Sequence, residues 1–176
     1  MTATVLLVNP PIYDFSAYDF FNKPLGLLHL AGFLRQAGYH VRLLDSLDRR
    51  HLQLKEITDR PRSRSNGTGK YISKIVEKPR CLEKIPRNYR RYGMPAEIFR
   101  QCLAEELKQH QPTAVLLSSM MTYWYPGVAE CIQLIRKLCP RTPIALGGVY
   151  ATLMPEHASK VCKPDKLFPG TSLIPV

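Results

Sequence analysis

Apolar residues in this chain fall into short blocks, and the longer stretches between several of them repeat with a helical period. Thr4 to Val8 is the first block, and it stops at Asn9-Pro10-Pro11, where two residues without an N–H cannot continue a central ladder. Val41 to Leu44 (ending at Asp45), Thr113 to Leu117 and Pro143 to Leu146 read the same way, and Lys166-Leu167-Phe168 offers a short fifth strand. Continuous apolar runs mark strands buried on both faces. A helix is predicted from Pro24, at its N1 position, through Leu25, Leu27, Leu28, Leu30, Ala31, Phe33 and Leu34 to Gly38 as its C′ residue. Others run from Ala96 to His110, from Pro126 or Gly127 to Leu138, and from about Pro155 to Val161. Strands alternating with helices predict a single α/β domain over residues 1–176. Its expected form is a flavodoxin-like (Rossmann-like) three-layer sandwich with a parallel five-stranded sheet of order 2-1-3-4-5.

Residues 46–95 break this rhythm. They hold Arg-Ser-Arg-Ser-Asn-Gly-Thr-Gly at 62–69 and no sustained period, so a long insertion after the second strand is expected, functional or mobile. Of the formal charge of +11, a net +9 lies between Ser46 and Pro95. The basic excess therefore belongs to one segment, read as a solvated loop, as a clasp or docking surface, or, ranking last, as a nucleic-acid contact through arginines interleaved with tyrosines. The 5 cysteines (Cys81, Cys102, Cys131, Cys139 and Cys162) show no zinc or iron–sulfur spacing and read as buried thiols of a reducing compartment. The start lacks signal-peptide regions and no apolar run reaches membrane-span length, so a cytoplasmic protein is expected.

Two stretches organise the chain's chemistry. Val115 to Trp124 and Ile144 to Gly148 each begin as a strand and end in small, hydroxylated or glycine residues, the pattern of a strand whose carboxyl end opens onto a crevice. A flavin phosphate loop needs backbone N–H groups after the first strand, and Asn9-Pro10-Pro11 lacks them. No G-x-G-x-x-G follows a strand, and Ser118 stands where a phospho-acceptor aspartate would be. Met120, Met121, Thr122, Tyr123 and Trp124 leave the third strand as a soft, aromatic segment. It is either packing for the third helix or a wall against a ligand, and Tyr150 is read the same two ways. Asp45 is read as capping the turn after its strand.

Ser118-Ser119-Met120, followed after 26 residues by Gly147-Gly148, resembles the S-x-L … G-G pair of the cobalamin-binding domain. The resemblance implies a slot at these strand ends for the nucleotide tail of base-off cobalamin. Glycines would let the backbone approach the flat base, and a short hydroxyl would bond it without filling the space. The D-x-H-x-x-G motif that carries the family's axial histidine is missing. His29 sits among helix leucines and is read as a packed or partly exposed helix residue.

That departure resembles a narrower group, the amino-terminal cobalamin-binding domains of radical S-adenosylmethionine enzymes. The likeness rests on Leu-Leu-Val-Asn-Pro-Pro at 6–11, Lys-Pro-Leu-Gly-Leu-Leu-His-Leu-Ala at 23–31, Leu-Leu-Asp at 43–45, and the run from Leu146 to Glu156. It implies cofactor contacts from Asn9, Pro10, Pro11, Leu25, Gly26, Ser118, Ser119, Met120, Met121, Thr122, Tyr123, Trp124, Gly147, Gly148, Val149, Tyr150 and Gly170. No catalytic residue or metal ligand is assigned to the chain. The C-x-x-x-C-x-x-C motif of the family's barrel is absent, and the chain ends soon after Phe168-Pro169-Gly170-Thr171-Ser172. A stand-alone or truncated module without its own iron–sulfur cluster is expected, with a radical S-adenosylmethionine domain in the same or a separate chain as its partner. The competing expectation is a cofactor-free interaction module of the same fold.

Overall fold

The computed structural model describes residues 3–21, 23–55, 57 and 61–170. Thr171 and Ser172 of the terminal turn, and Glu56, Asp59 and Arg60 of the insertion, lie outside the described residues. The chain runs through β1 (Thr4–Asn9), β2 (Ile12–Asp14), β3 (Tyr18–Asp19), α1 (Leu25–Gln36) and β4 (His40–Asp45). The insertion follows with β5 (Gly69–Lys70), β6 (Ser73–Ile75) and β7 (Arg90–Tyr92). Then come α2 (Ala96–His110), β8 (Ala114–Ser119), α3 (Tyr125–Leu138), β9 (Ile144–Gly147), α4 (Gly148–Leu153), α5 (Pro155–Cys162) and β10 (Lys166–Leu167).

The main sheet has five parallel strands in the order β10-β9-β8-β1-β4, which is the expected 2-1-3-4-5. Alternation along each strand sorts its side chains between two faces. Leu6, Val8, Val115, Leu117, Ile144 and Leu146 point to one face, where α2 supplies Phe99 and Leu103, α3 supplies Val128, Cys131 and Ile135, and α5 supplies Ala158. All six strand residues are at most 2% exposed, so this side is the main core. Val5 and Leu7 point the other way and meet Leu27 of α1, with Leu116 and Val41 only partly covered. Leu27 is the one buried residue of α1, whose Leu25, Leu28 and Phe33 remain exposed.

The insertion is more ordered than its sequence suggests. β2, β7 and β6 form a three-stranded antiparallel sheet, and β3 pairs with β5. Its residues Tyr71 and Tyr92 pack with Ile12 and Ala17 from before α1, against Leu47 and Trp124. Arg91 is buried and clamps this layer to α3: Nε donates to Glu130 Oε2 at 2.9 Å, a terminal nitrogen donates to Glu130 Oε1 at 2.9 Å, and the other donates to the Met94 carbonyl. Tyr13 donates to the same Glu130 at 2.9 Å. Strands of two or three residues, two of them paired with β2 and β3 from before α1, leave no period to read, so the sequence shows a loop where a small second layer stands.

Candidate cofactor site

The strand ends place the predicted residues in a row. Ser118 lies opposite Gly147 in the β8–β9 register, and Asn9 lies opposite Asp45 in the β1–β4 register. Val8 pairs with Leu117 one step earlier, so Asn9 and Ser118 are the next residues on adjacent strands. By alternation Ser118 and Gly147 share the sheet face of Leu116 and Ala145, the side that α1 covers among the described residues. Both are half-buried. The two motifs separated by 26 residues thus meet as direct neighbours.

The two glycines do different work. Gly148 has φ +85°, and a Cβ there would lie 2.4 Å from Ser118 Oγ and 2.8 Å from the Ser119 carbonyl, so the backbone itself demands glycine. Gly147 is extended, and its Cβ would meet only Phe168 at 3.6 Å, an ordinary contact. Its missing side chain is therefore free space rather than a folding requirement. The serines divide similarly. Ser119 is buried and its hydroxyl donates to the Met121 carbonyl at 2.9 Å, fixing the turn, whereas the Ser118 hydroxyl has no hydrogen-bond partner among the described residues.

Asn9 Nδ2 donates to Asp45 Oδ1 at 2.7 Å, and the same oxygen accepts from the Leu47 N–H at 2.9 Å. Asp45 thus caps the turn, as expected. Burial pushes its carboxyl above the ordinary value, opposed by those two hydrogen bonds. Pro10 and Pro11 are buried under the first turn of α3, where a Cβ on Gly127 would lie 1.9 Å from the Pro11 carbonyl. The loop after β1 is therefore wedged in place.

Between the ends of β1 and β8 lies a cavity of about 40 Å³, lined by Asn9, Pro10, Pro11, Ser118, Ser119 and Met120. Lys23, Pro24, Ile12, Leu47, Tyr71 and Trp124 complete its wall. It has room for water but not for a ring system. Tyr71 and Leu47 come from the insertion and are absent from the sequence-based site: Leu47 lies two residues past the end of β4, whereas nothing local links Tyr71 to the strand ends. Trp124 is half-buried and its indole N–H donates to Asp14 Oδ2 at 2.9 Å, so it belongs to the small second layer.

The β8–β9–β10 edge is open. Met120, Met121, Tyr123, Val149, Leu153 and Phe168 are all exposed there, and Thr122 is half-buried. Leu25 is exposed and Gly26 has nothing near its Cβ position. Gly170 donates its N–H to Thr152 Oγ1 at 2.9 Å, which ties the chain after β10 to α4. Tyr150 is placed elsewhere: it is 1% exposed, packed in the main core, with its hydroxyl 2.7 Å from His157 Nδ1. The reading of Tyr150 as a site wall is corrected accordingly, because α4 begins at Gly148 and turns that ring toward α3 and α5. His29 is exposed, and no histidine lines the cavity. Among the described residues no group of three or more His, Cys, Asp or Glu side chains could hold a metal ion, and no helix is long and apolar enough to cross a membrane.

Fold and strand ends together define a flavodoxin-like α/β domain with one covered and one open stretch of its carboxyl edge. The family model of the B12 binding domain matches residues 89–165, from the end of the insertion through α5. Among solved structures, the chain is similar to a cobalamin-binding protein from Desulfitobacterium hafniense DCB-2, with a TM-score of 0.51 and 13% identity. That match covers 97% of this chain and 55% of the other, so the chain spans about half of that protein's length. A response regulator protein from Burkholderia multivorans is also similar, with a TM-score of 0.41 and 13% identity, covering 100% of this chain and 86% of that one. No curated protein matches the chain.

Proposed function

We propose that this chain is a corrinoid-binding module that takes cobalamin base-off, its nucleotide tail against the sheet face bearing Leu116, Ser118, Ala145 and Gly147. The observation that carries the reading is the in-register pairing of Ser118 with Gly147 on the side left open by α1. The residues fit the group. Gly147 leaves space that no fold requirement explains, and the Ser118 hydroxyl is available to a ring nitrogen or ribose. Exposed apolar side chains at the ends of β8, β9 and β10 suit the rim of a flat macrocycle. The match to the B12 binding domain covers β8, β9 and both glycines. A bound corrin would supply cobalt as methyl carrier or redox centre, and the chain would set position and access. The absence of a D-x-H-x-x-G motif from the sequence supports binding without a histidine ligand from this chain. The resemblance in the strand-end motifs supports a role as the cofactor module of a radical S-adenosylmethionine enzyme whose barrel lies elsewhere in the same or a separate chain.

The small size of the crevice cavity, about 40 Å³, favours a second reading, a cofactor-free interaction module whose crevice the insertion has narrowed. Mixing the protein with hydroxocobalamin and desalting separates the two. Retention of a corrin spectrum with base-off features, lost in Gly147→Leu with unchanged circular dichroism, supports corrinoid binding. A folded wild-type chain that emerges colourless overturns it.

A further inference from the structure

We infer that the basic insertion builds a second binding site, for a small phosphorylated ligand with an apolar body. Beside the end of β4 the insertion lines an open cavity of about 540 Å³, within the size range of small-molecule sites. Arg50, Lys55, Arg62 and Lys70 line it, and none of these four side chains has an ion-pair or hydrogen-bond partner among the described residues. The fifth basic residue of the lining, Arg49, is occupied instead: it donates to Asp19 Oδ2 and the Gly67 carbonyl, each at 3.3 Å, and to Ser63 Oγ at 2.9 Å. Arg49 therefore shapes the wall and leaves the other four to a ligand. Asp48 is the one acid in the described lining, and it accepts from the Arg50 N–H at 2.9 Å.

The floor is apolar, with Leu54, Ile72 and Met94 reaching into the main core. A second observation points to a ligand. Ser46, 1% exposed and part of the lining, has a hydroxyl with no hydrogen-bond partner, the one such buried side-chain atom among the described residues. Four exposed cations without partners among the described residues converge on one concavity, and an unpaired buried hydroxyl costs free energy, so a phosphate's oxygens can accept from both. The apolar floor selects an anion that carries a hydrophobic body over bare phosphate.

The test titrates the full chain with ADP, inorganic pyrophosphate and adenosine by calorimetry at physiological salt. Saturable one-to-one binding of ADP is expected, with pyrophosphate weaker and adenosine undetectable. In Arg62→Gln/Lys70→Gln, whose side chains are exposed, ADP binding falls at least tenfold with unchanged circular dichroism. In Ser46→Ala it falls severalfold. Three results overturn the site: no saturable ADP binding by folded protein, binding that the double variant leaves intact, or non-stoichiometric binding abolished by salt, which marks a diffuse basic surface. None of these readings depends on corrinoid retention.

Discussion

The two faces of the main sheet are built to different standards. On the face of α2, α3 and α5, strand side chains from β1, β8 and β9 are all at most 2% exposed. On the face of α1, the residues one position along, Leu116, Ser118, Ala145 and Gly147, are half-buried, and α1 itself leaves Leu25, Leu28 and Phe33 exposed. β8 and β9 thus carry a sealed side that holds the fold and a half-covered side that holds the candidate site, whereas Val5 and Leu7 of β1 are buried under α1 on that second face as well. Burial of apolar surface is the dominant stabilising term, so stability resides on the first face and the second can trade coverage for access.

The largest effect that tests this division is a truncation on each face of one strand. Leu117→Ala removes a core side chain packed by α2 and α3 and is expected to cost about 4 kcal/mol, within the usual range for leucine cavities. Leu116→Ala, its neighbour on the open face, is expected to cost about 1 kcal/mol, since less apolar area leaves contact. Urea denaturation midpoints measure both. Equal costs would end the distinction.

The division also applies around the carboxyl edge, which the insertion covers beside β1 and β4 and leaves bare beside β9 and β10. Arg91 and Glu130 hold that cover down with side chains 7% and 18% exposed. Arg91→Met leaves the half-buried Glu130 carboxylate with only the Tyr13 hydroxyl and is expected to cost about 2 kcal/mol. Trp124, which packs against this layer, reports on it locally. In the variant its fluorescence transition should precede loss of far-UV dichroism, as the cover lifts before the sheet melts. Coincident transitions would mean that cover and sheet form one cooperative unit.

Next in size is the contrast within the glycine pair. Gly148→Ala meets both a left-handed φ and the Ser118 and Ser119 atoms, and is expected to cost about 2 kcal/mol or more. Gly147→Ala should be neutral within about 0.5 kcal/mol, because its φ is ordinary and its new methyl has room. Thermal melts compare them directly.

That contrast shows what the sequence made legible. Gly147-Gly148 could be located from the apolar run before them, as could Ser118, because a parallel strand announces its own end. The sheet order followed from alternating elements and the right-handed crossover rule. Which glycine is structural depends on the φ at Gly148 and on the neighbouring strand, and neither is a local property. Tyr150 was misplaced for the same kind of reason: one turn of α4 directly after the glycines rotates it into the core. Tyr71 was missed because its part of the insertion reaches the strand ends through short cross-chain pairings with β2 and β3. Asn9 was named from the motif and Asp45 from its turn, but their mutual hydrogen bond needed the register of β1 and β4.

The smallest effect compares two acids beside β4, one at each end. Burial raises the Asp45 carboxyl, so in the window between the unfolded value, about 4, and its higher folded value the native state binds more protons than the unfolded state. Stability contributed there falls as pH rises through the window. Glu106 is held below its ordinary value, first by the hydrogen bond from Arg42, whose Nε donates to Oε2 at 2.9 Å. Its contribution is present above the unfolded value and is lost as pH falls through the folded one. Asp45→Asn keeps an oxygen for Asn9 and the Leu47 N–H while removing the titration, so it should flatten the decline on the rising side. Glu106→Gln should flatten the loss on the acid side. Urea midpoints of the two variants and the wild type across pH 3 to 7 read both slopes, and a variant at Asp45 that leaves the rising-side slope unchanged would show that this carboxyl is hydrated at the open face rather than buried beneath the insertion.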